Sequence, residues 1–466
     1  MVNLVDHSIK YSQYNVALQF SKVFTCKYCK VMDKWYLWTK SKDHGGIQWI
    51  EDPKDIVVTE FREFLTTISR KASRDIDLTP SKQVSTQILI ESSAYIKGAL
   101  SELKTIKSVS TCPVEWDSNL WELNTPKGIV DLTTGFLRER TKDDLGLLYT
   151  LVSPLNEPPV KWLEFLNQAC NGDAEMIGFL KRIAGFALTG ITTPHSLFFL
   201  HGCGGNGKGT FILAIQTILN SYACSVKPRM FIETQQETHL SEYAVLMSKR
   251  LILCEEIKPD ARWDKEKMNS ITGGNNITAN FMRQDYFTFR PRFKVLLAAN
   301  DKPEFKNPDN SVVRRLHLIP FNHTPKKENH NLERQLEAEY PKILSWMIEG
   351  CLEFQEVGLN PPDWISQATK QYIADEDQIQ QWIDSRTKSV GNDGGGQSSR
   401  MYESWKMFCK ESGIESGSQI SFSKKMFKKG FKVKNTSNFK RWIGIDLTDG
   451  EMDKIYELER KQSRGF

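Results

Sequence analysis

The sequence contains no run of about 18 apolar residues, the length needed to cross a bilayer as a helix. Residues 1–7 also lack the basic stretch followed by an apolar stretch that marks a secretion signal. The nine cysteines are odd in number and scattered, and Cys203 and Cys254 stand beside or inside apolar runs. We therefore expect no membrane contact, reduced thiols and a cytoplasmic location.

Strong overall charge is also lacking, because the net charge is only +5 over 466 residues. This excludes a protein that binds nucleic acid through the charge of the whole chain. No internal repeat is found. The single Cys-x-x-C pair, Cys26 and Cys29, has no second pair at a zinc-finger spacing, so zinc binding there stays an open alternative to a structural role.

A glycine-rich turn is the most informative feature that is present. It follows the apolar run 197–200, precedes the apolar run 211–215, and contains Gly202, Gly204, Gly205, Asn206, Gly207, Lys208, Gly209 and Thr210. The order predicts a strand, a phosphate-binding turn and a helix whose backbone N–H groups bind anions. The spacing G-x-x-x-x-G-K therefore predicts a nucleoside triphosphate site, with Lys208 on the terminal phosphates.

The metal ligand in this turn is not fixed by the sequence. Gly209 stands where the motif usually carries Ser or Thr, and Thr210 comes one residue late. Whether Thr210 contacts Mg²⁺ directly is therefore open.

Three later segments add polar residues to the ends of apolar runs. Glu255 and Glu256 close the run 250–254, where one carboxylate can hold hydrated Mg²⁺ and the other can activate water. Asn300 ends the run 293–299 and could position water or sense a γ-phosphate. Arg314 and Arg315 precede a further predicted strand, and an arginine donated to the γ-phosphate stabilises the transition state.

The segment 271–289 gives these elements a specific resemblance. Three sequence motifs, in their order along the chain, resemble those of superfamily 3 helicases of the AAA+ class. They are Gly-Gly-Asn-Gly-Lys-Gly-Thr, Phe-Met-Arg-Gln and Arg-Arg-Leu-His-Leu-Ile-Pro-Phe. It is most similar to the helicase part of phage and plasmid primase-helicases, which are related to the poxvirus one. The resemblance implies an α/β fold: an AAA+-type P-loop ATPase core, a helical and mixed N-terminal domain, and a C-terminal winged-helix domain.

The resemblance also implies an activity. A ring-forming DNA helicase, expected as a hexamer, would use ATP and Mg²⁺ to move 3′ to 5′ on single-stranded DNA in its channel. It would act in replication of a phage, plasmid or other mobile element in a bacterial host. The polymerase domain often fused upstream does not precede these motifs, so a separate primase or polymerase is the expected partner.

Individual roles follow from the same resemblance. Lys208 and Thr210 would contact phosphate and Mg²⁺, Glu255 would hold the metal, and Glu256 would polarise water. Asn300 would be the sensor, and Arg315 matches the arginine finger better than Arg314. Arg283 falls at the tip of the hairpin that projects into the channel. Asn275 and Asn280 stand where the family often has Asp and Arg, which lowers the expected charge of the channel.

A basic C-terminal segment predicts a second DNA contact. Between residues 401 and 441 there are ten Lys and Arg and three Glu, so the net charge of this segment is larger than that of the whole chain. A helix capped by Ser421, followed by two short strands, predicts a winged helix that contacts duplex DNA. Its predicted DNA-binding residues are Lys424, Lys425, Lys428, Lys429, Lys440 and Arg441. A solvated lysine face on a structural domain is the alternative.

These features divide the chain into predicted segments. They are a collar-like N-terminal domain (1–160), the ATPase core (161–325), a helical extension (326–390), a flexible linker (391–399), the winged helix (400–446) and a charged tail (447–466). Two other functions remain possible at this stage. One is an initiator or remodelling ATPase that does not unwind processively, and the other is a small-molecule P-loop kinase.

Overall fold

The computed structural model describes most of the chain. The described residues are 10–41, 46–236, 238–258, 261–281, 285–305, 314–324, 329, 331–391, 394–412, 415–437 and 439–463. No helix in these ranges combines the length and the apolar composition needed to cross a bilayer.

In its described residues, the N-terminal domain packs four helices against a four-stranded sheet of order β3-β2-β1-β4. Its elements are α1 (Gln13–Val23), β1 (Cys26–Cys29), β2 (Lys34–Lys40), β3 (Ile47–Glu51), α2 (Ile56–Ala72), α3 (Pro80–Glu91), α4 (Ser93–Thr105) and β4 (Ser110–Thr111). Helix α2 shows why they fold together, because Val57, Phe61, Leu65, Ile68 and Ala72 recur at helical spacing and are all buried.

The Cys-x-x-C pair is structural. Cys26 and Cys29 lie three residues apart on one strand, so their side chains point to opposite faces of the sheet. Each is buried in a different hydrophobic cluster, and burial raises the pKa of the Cys26 thiol to about 12. In the described residues, these positions favour the structural role over zinc binding. In the described ranges, no group of three His, Cys, Asp or Glu side chains could hold a metal ion.

A small antiparallel sheet connects this domain to the core. It consists of β5 (Glu122–Thr125), β6 (Gly128–Asp131) and β7 (Leu137–Arg138). Arg250, which precedes a core strand, reaches this sheet and donates to the carbonyl oxygens of Asn119 at 3.2 Å and Glu122 at 2.5 Å. The amino edge of the core sheet is therefore tied directly to the connecting sheet.

The core is a five-stranded parallel sheet of order β16-β8-β14-β10-β9. Its elements are α5 (Val160–Ala169), α6 (Ala174–Leu188), β8 (Leu197–His201), α7 (Lys208–Leu219), β9 (Ala223–Ser225), α8 (Leu240–Ala244), β10 (Leu251–Cys254), β11 (Arg262–Trp263), α9 (Lys265–Thr272), β12 (Ile277–Asn280), β13 (Tyr286–Phe289), β14 (Lys294–Ala299), β15 (Glu304–Phe305) and β16 (Leu316–Pro320). The mixed α/β class predicted from the sequence is confirmed.

Both faces of this sheet are covered, which explains why its strands are continuous apolar runs. Phe198 and Leu200 pack in the cluster that contains α5, α6 and α7. The alternate residues Leu197 and Phe199 pack on the other face with Met268 and Ile271 of α9. Because all five strands run in one direction, their carboxyl ends meet at one edge.

Three helices follow the core: α10 (Leu332–Glu337), α11 (Tyr340–Val357) and α12 (Asp363–Arg386). The C-terminal domain then contains β17 (Thr387–Ser389), α13 (Ser398–Glu411), α14 (Gln419–Lys428), β18 (Val433–Asn435), β19 (Lys440–Trp442), β20 (Ile445–Leu447) and α15 (Asp449–Ser463). It has its own hydrophobic cluster, built around Trp382, Trp405, Phe422 and Trp442. The predicted pair of strands after α14 is confirmed as the β18–β19 hairpin.

Three predictions about this C-terminal region are wrong. The flexible linker at 391–399 is part of the domain in its described residues, because Gly396 exchanges backbone hydrogen bonds with Ile445 and Trp442. The charged tail contains α15, whose Ile455 is fully buried and whose Glu459 pairs with Arg400. Helix α14 begins earlier than predicted, because the cap is the Ser418 side chain, which accepts from the backbone N–H of Ser421.

Candidate phosphate-binding and nucleic-acid-binding sites

The glycine-rich turn joins the carboxyl end of β8 to the first residue of α7, as the sequence predicts. Gly202, Gly205 and Gly207 have φ values of +143°, +73° and +90°, which other residues rarely adopt. At Gly202 an added Cβ would lie 2.1 Å from the carbonyl oxygen of Phe321. The turn therefore needs glycine there, both for its conformation and for the close approach of the chain after β16.

Asn206 fixes the middle of the turn. Its side chain is buried, and its amide nitrogen donates to the carbonyl oxygen of Phe321. Phe321 in turn donates its backbone N–H to the carbonyl oxygen of His201 at 2.7 Å. The turn is thus held against the end of β16 before any ligand arrives, which reduces the ordering cost of binding.

Lys208 is folded into the turn. Its Nζ atom donates to the carbonyl oxygens of Gly202 at 2.8 Å and Cys203 at 3.2 Å, and to Oδ1 of Asn206 at 3.0 Å. The side chain is 7% exposed, and burial lowers the pKa of the ammonium below its usual value. An anion bound in the turn would give this buried cation a partner of opposite charge.

The neighbouring strands supply polar groups at the same sheet edge. Asn300 follows β14, and its Oδ1 lies 3.5 Å from Nζ of Lys208. Glu255 and Glu256 follow β10, which pairs with β14 on the far side from β8. Burial, with the nearby charge of Glu256 as a smaller cause, raises the pKa of the Glu255 carboxyl. Glu256 has a φ of +61°, a strained value that recurs at functional sites.

The first turn of α7 leaves the metal-binding hydroxyl undecided. Gly209 is exposed, and a Cβ added there would meet nothing within 4 Å. Thr210 is half-buried and lies about 100° further around the helix axis. A hydroxyl at position 209 would therefore fit, but this chain offers only that of Thr210. Gly204 likewise has nothing within 4 Å of an added Cβ.

A matched pair of glycine substitutions tests this geometry. Gly202→Ala should lower the midpoint of thermal unfolding, because the strained φ and the collision with Phe321 cost about 1–3 kcal/mol. Gly209→Ala should leave the midpoint unchanged or raise it, since alanine in a helix is favoured over glycine by about 0.5–1 kcal/mol. Differential scanning calorimetry of the two variants decides this. Equal destabilisation by both would contradict the arrangement of the turn.

The two arginines lie elsewhere. Arg314 and Arg315 precede β16, so they are at the amino edge of the sheet, whereas Lys208 is at the carboxyl edge. The five residues of β16 separate the edges by roughly 17 Å. Arg314 is exposed, and Arg315 is half-buried with its Nη1 atom donating to Asn269. Within one subunit the structure does not bring the arginines to the turn.

A β-hairpin packs in the same hydrophobic cluster as α9. Strands β12 and β13 pair from Ile277↔Phe289 to Asn280↔Tyr286. Arg283, predicted at its tip, lies outside the described residues. Tyr286 is 71% exposed beside that tip, and sequence reasoning missed it, because a tyrosine in a strand is more often a packing residue than a ligand contact.

The basic residues of the C-terminal domain divide into two groups. Lys424, Lys428 and Lys440 are exposed, whereas Lys429 and Arg441 are half-buried. Lys425 is half-buried as well, with its Nζ atom 5.4 Å from the centre of the Trp405 ring. Exposed Phe427 and Phe439 accompany the first group. The outward face of α14 and the β18–β19 hairpin is therefore both basic and aromatic.

Comparison with known proteins is consistent with the predicted resemblance. Residues 19–171 match the family described as D5 N terminal like, and residues 200–315 match a family of unknown function, DUF5906. One relative is a protein of Acanthamoeba polyphaga mimivirus that is provisionally named helicase L207/L206. It is 22% identical to this chain over 301 residues, and the match covers 59% of this chain and 31% of the length of the relative. One of Invertebrate iridescent virus 6, provisionally named helicase 184R, is 20% identical over 252 residues, covering 47% and 26%.

The chain therefore spans about a third or less of the length of these relatives. Among solved structures, the apo C-terminal region of NrS-1 is similar with a TM-score of 0.45 and 11% identity, covering 93% of this chain and 98% of that one. The match to the D5 N terminal like family and the two viral relatives named as helicases confirm the predicted resemblance to the helicase part of phage and plasmid primase-helicases, which are related to the poxvirus one.

Proposed function

We propose that this protein is an ATP-dependent DNA helicase of the superfamily 3, AAA+ type, acting in replication of a phage, plasmid or related mobile element. The observation that carries the proposal is the shared edge of the parallel sheet. There Nζ of Lys208 lies 3.5 Å from Oδ1 of Asn300, and Glu255 and Glu256 directly follow the neighbouring strand β10. Ligands of open α/β sheets bind at this edge.

Each residue at the edge has a role that its geometry supports. The backbone N–H groups of the first turn of α7 and the ammonium of Lys208 bind the phosphates of ATP, replacing the carbonyl contacts that Lys208 now makes. Glu256 orients and deprotonates the attacking water, and Asn300 holds that water or senses the γ-phosphate. Mg²⁺, when bound, neutralises phosphate charge. Glu255 and Thr210 would hold it through carboxylate and hydroxyl oxygens, the kind of ligand that it prefers.

The position of the arginines supports a ring. An arginine at the amino edge is far from its own phosphate turn, so we infer that it serves the nucleotide of a neighbouring subunit. A closed ring, expected as a hexamer, gives every turn such a neighbour. The β12–β13 hairpin would then contact single-stranded DNA in the channel, with Arg283 at its tip. Movement 3′ to 5′, priming by a separate polymerase and action in the cytoplasm of the host belong to the same proposal.

Strand displacement tests the proposal directly. The protein is incubated with ATP, Mg²⁺ and a forked duplex with one labelled strand, and release of that strand is followed beside ATP hydrolysis. Duplexes with only a 3′ or only a 5′ tail report the direction of movement. Hydrolysis that DNA stimulates, without strand release on any substrate, would instead favour a remodelling ATPase. Hydrolysis that DNA never affects would contradict both.

We further infer that the C-terminal domain is a winged helix that contacts duplex DNA. Lys424→Ala with Lys428→Ala should weaken duplex binding, and the slope of log affinity against log salt should fall by about 0.9 for each phosphate that the variant no longer neutralises. Lys410→Ala, an exposed lysine on α13, is the control and should change neither quantity. Fluorescence anisotropy over a salt series measures both. An unchanged slope in the double variant would mean that this lysine face is only solvated.

Substitution is preferable to truncation here. A chain ending at residue 396 would lack β20, the partner strand of β17, and most of the hydrophobic cluster of the domain. Weaker DNA binding would then report unfolding rather than removal of a binding surface.

A further inference from the structure

Arg315 is held by a helix on which sequence reasoning placed no function. Its Nη1 atom donates to Oδ1 of Asn269 and lies 3.5 Å from Oγ1 of Thr272. Both partners are on α9. The Thr272 hydroxyl donates its own proton to the carbonyl oxygen of Met268 at 2.7 Å, so its oxygen is free to accept from the guanidinium.

The other contacts of Arg315 leave two nitrogen atoms of its guanidinium group available as donors. Its carbonyl oxygen accepts from the backbone N–H of Leu197 at 2.7 Å, which fixes the main chain between β16 and β8. In the described part of the chain, both contacts of the guanidinium use Nη1. Because arginine carries five N–H donors in a planar fork, Nε and Nη2 remain for another partner, in an orientation that Asn269 sets.

Helix α9 leads directly into the hairpin. Thr272 is its last residue, Gly273 and Gly274 form the turn, and β12 begins at Ile277. Gly274 has a φ of +72°, and a Cβ added there would lie 2.7 Å from Cε1 of His195, two residues before β8. This junction is therefore packed tightly against the sheet, while Met268 and Ile271 anchor α9 in the core. Four residues separate Thr272 from Ile277, so the end of α9 and the start of the hairpin are close together in the chain.

We propose that Asn269 is the positioning residue of Arg315 and links that arginine to the hairpin. The inference rests on the proposed function, in which Arg315 serves the nucleotide of a neighbouring subunit. DNA that displaces the hairpin shifts the end of α9 and with it Asn269, and the guanidinium turns accordingly. DNA contact in one subunit thereby sets the rate of hydrolysis in the next.

The test compares variants that keep or remove the acceptor. Asn269→Ala, and Asn269→Leu of nearly the same shape, should lower kcat of DNA-stimulated hydrolysis by about tenfold to a hundredfold with little change in KM for ATP, as expected for a misplaced group. Asn269→Asp, which keeps an oxygen facing the guanidinium, should retain most of the activity. Ser270→Ala, at an exposed position of the same helix, is the control and should behave as the unmodified protein.

A mixing experiment shows where the defect acts. Lys208→Ala subunits carry an intact Asn269 and Arg315, so adding them to Asn269→Ala subunits should return part of the activity. A defect in the variant's own ATP site would not be relieved in this way. Normal kcat in both Asn269→Ala and Asn269→Leu would overturn the inference. So would a failure to recover when the mixture of Arg315→Ala and Lys208→Ala does recover. If the mixture of Arg315→Ala and Lys208→Ala also recovers no activity, the result contradicts the proposed role of Arg315.

Discussion

Replacing Lys208 with alanine should abolish ATP hydrolysis and with it strand displacement. Lys208 is the cation at the centre of the turn, and its Nζ atom reaches both the turn carbonyls and Asn300. Without it, the triphosphate loses its main charge partner, and Asn300 loses the group that links it to the phosphates. Hydrolysis should fall to the background of the assay, as measured by phosphate release at saturating ATP and Mg²⁺.

Two further variants separate charge from packing and binding from chemistry. Lys208→Met keeps the aliphatic stem in its buried position without the charge, so it should be as inactive as alanine while leaving no cavity in the turn. Glu256→Gln should still bind ATP but lower kcat by about a hundredfold or more, the usual effect of losing a general base. Glutamine retains the shape of the residue in its strained φ. Normal turnover in Glu256→Gln would move the role of base to Glu255.

The edge of the sheet was predictable because its information is local. The apolar runs that form β10 and β14 are each followed directly by a polar residue of the candidate site, and the run that forms β8 is followed by the glycine-rich turn that leads to Lys208. Parallel strands then bring these groups together, whatever the distance between them in the chain. The glycine turn was predictable for the same reason, since its three positive φ values are required within six residues.

The contacts that escaped prediction are those between distant segments. Asn269 and Arg315 are 46 residues apart, and nothing in α9 distinguishes that asparagine from a solvated one. The predicted linker at 391–399 misled for a different reason. Glycine-rich sequence permits flexibility, but it also permits close approach of two backbones. A Cβ at Gly395 would lie 1.6 Å from the carbonyl oxygen of Trp442, so the glycine serves packing there.

The start of helix α14 is another feature that the sequence alone did not predict correctly. Ser418 and Ser421 are both suitable caps for the helix that carries Lys424 and Lys428. The helix begins at the first of them, because the Ser418 side chain accepts from the Ser421 N–H at 3.2 Å. The additional turn brings exposed Ile420 into the helix, seven residues before exposed Phe427. Sequence alone could not choose between two equivalent starts.

Arg315→Ala should bind ATP with near-normal affinity yet lose hydrolysis by a factor on the order of 10³ or more, as expected for a finger supplied by another subunit. Lys208→Ala should be inactive for the opposite reason, because its own turn fails while its Arg315 is intact. The two residues lie at opposite edges of the same sheet. In the proposed ring a single subunit therefore cannot use both at one nucleotide, and each variant would lack one half of every interface.

Mixing the two inactive variants should restore part of the activity. Some interfaces in a mixed ring pair the intact Lys208 of one subunit with the intact Arg315 of the next, and only these hydrolyse ATP. Phosphate release should therefore rise and fall with the mixing ratio, whereas each variant alone stays at background. Co-assembly is checked by pull-down of a tagged variant.

If the variants assemble together and no activity returns, Arg315 does not act across the interface. Exposed Arg314 is then the next residue to be mixed in the same way, and failure of both would contradict the ring arrangement.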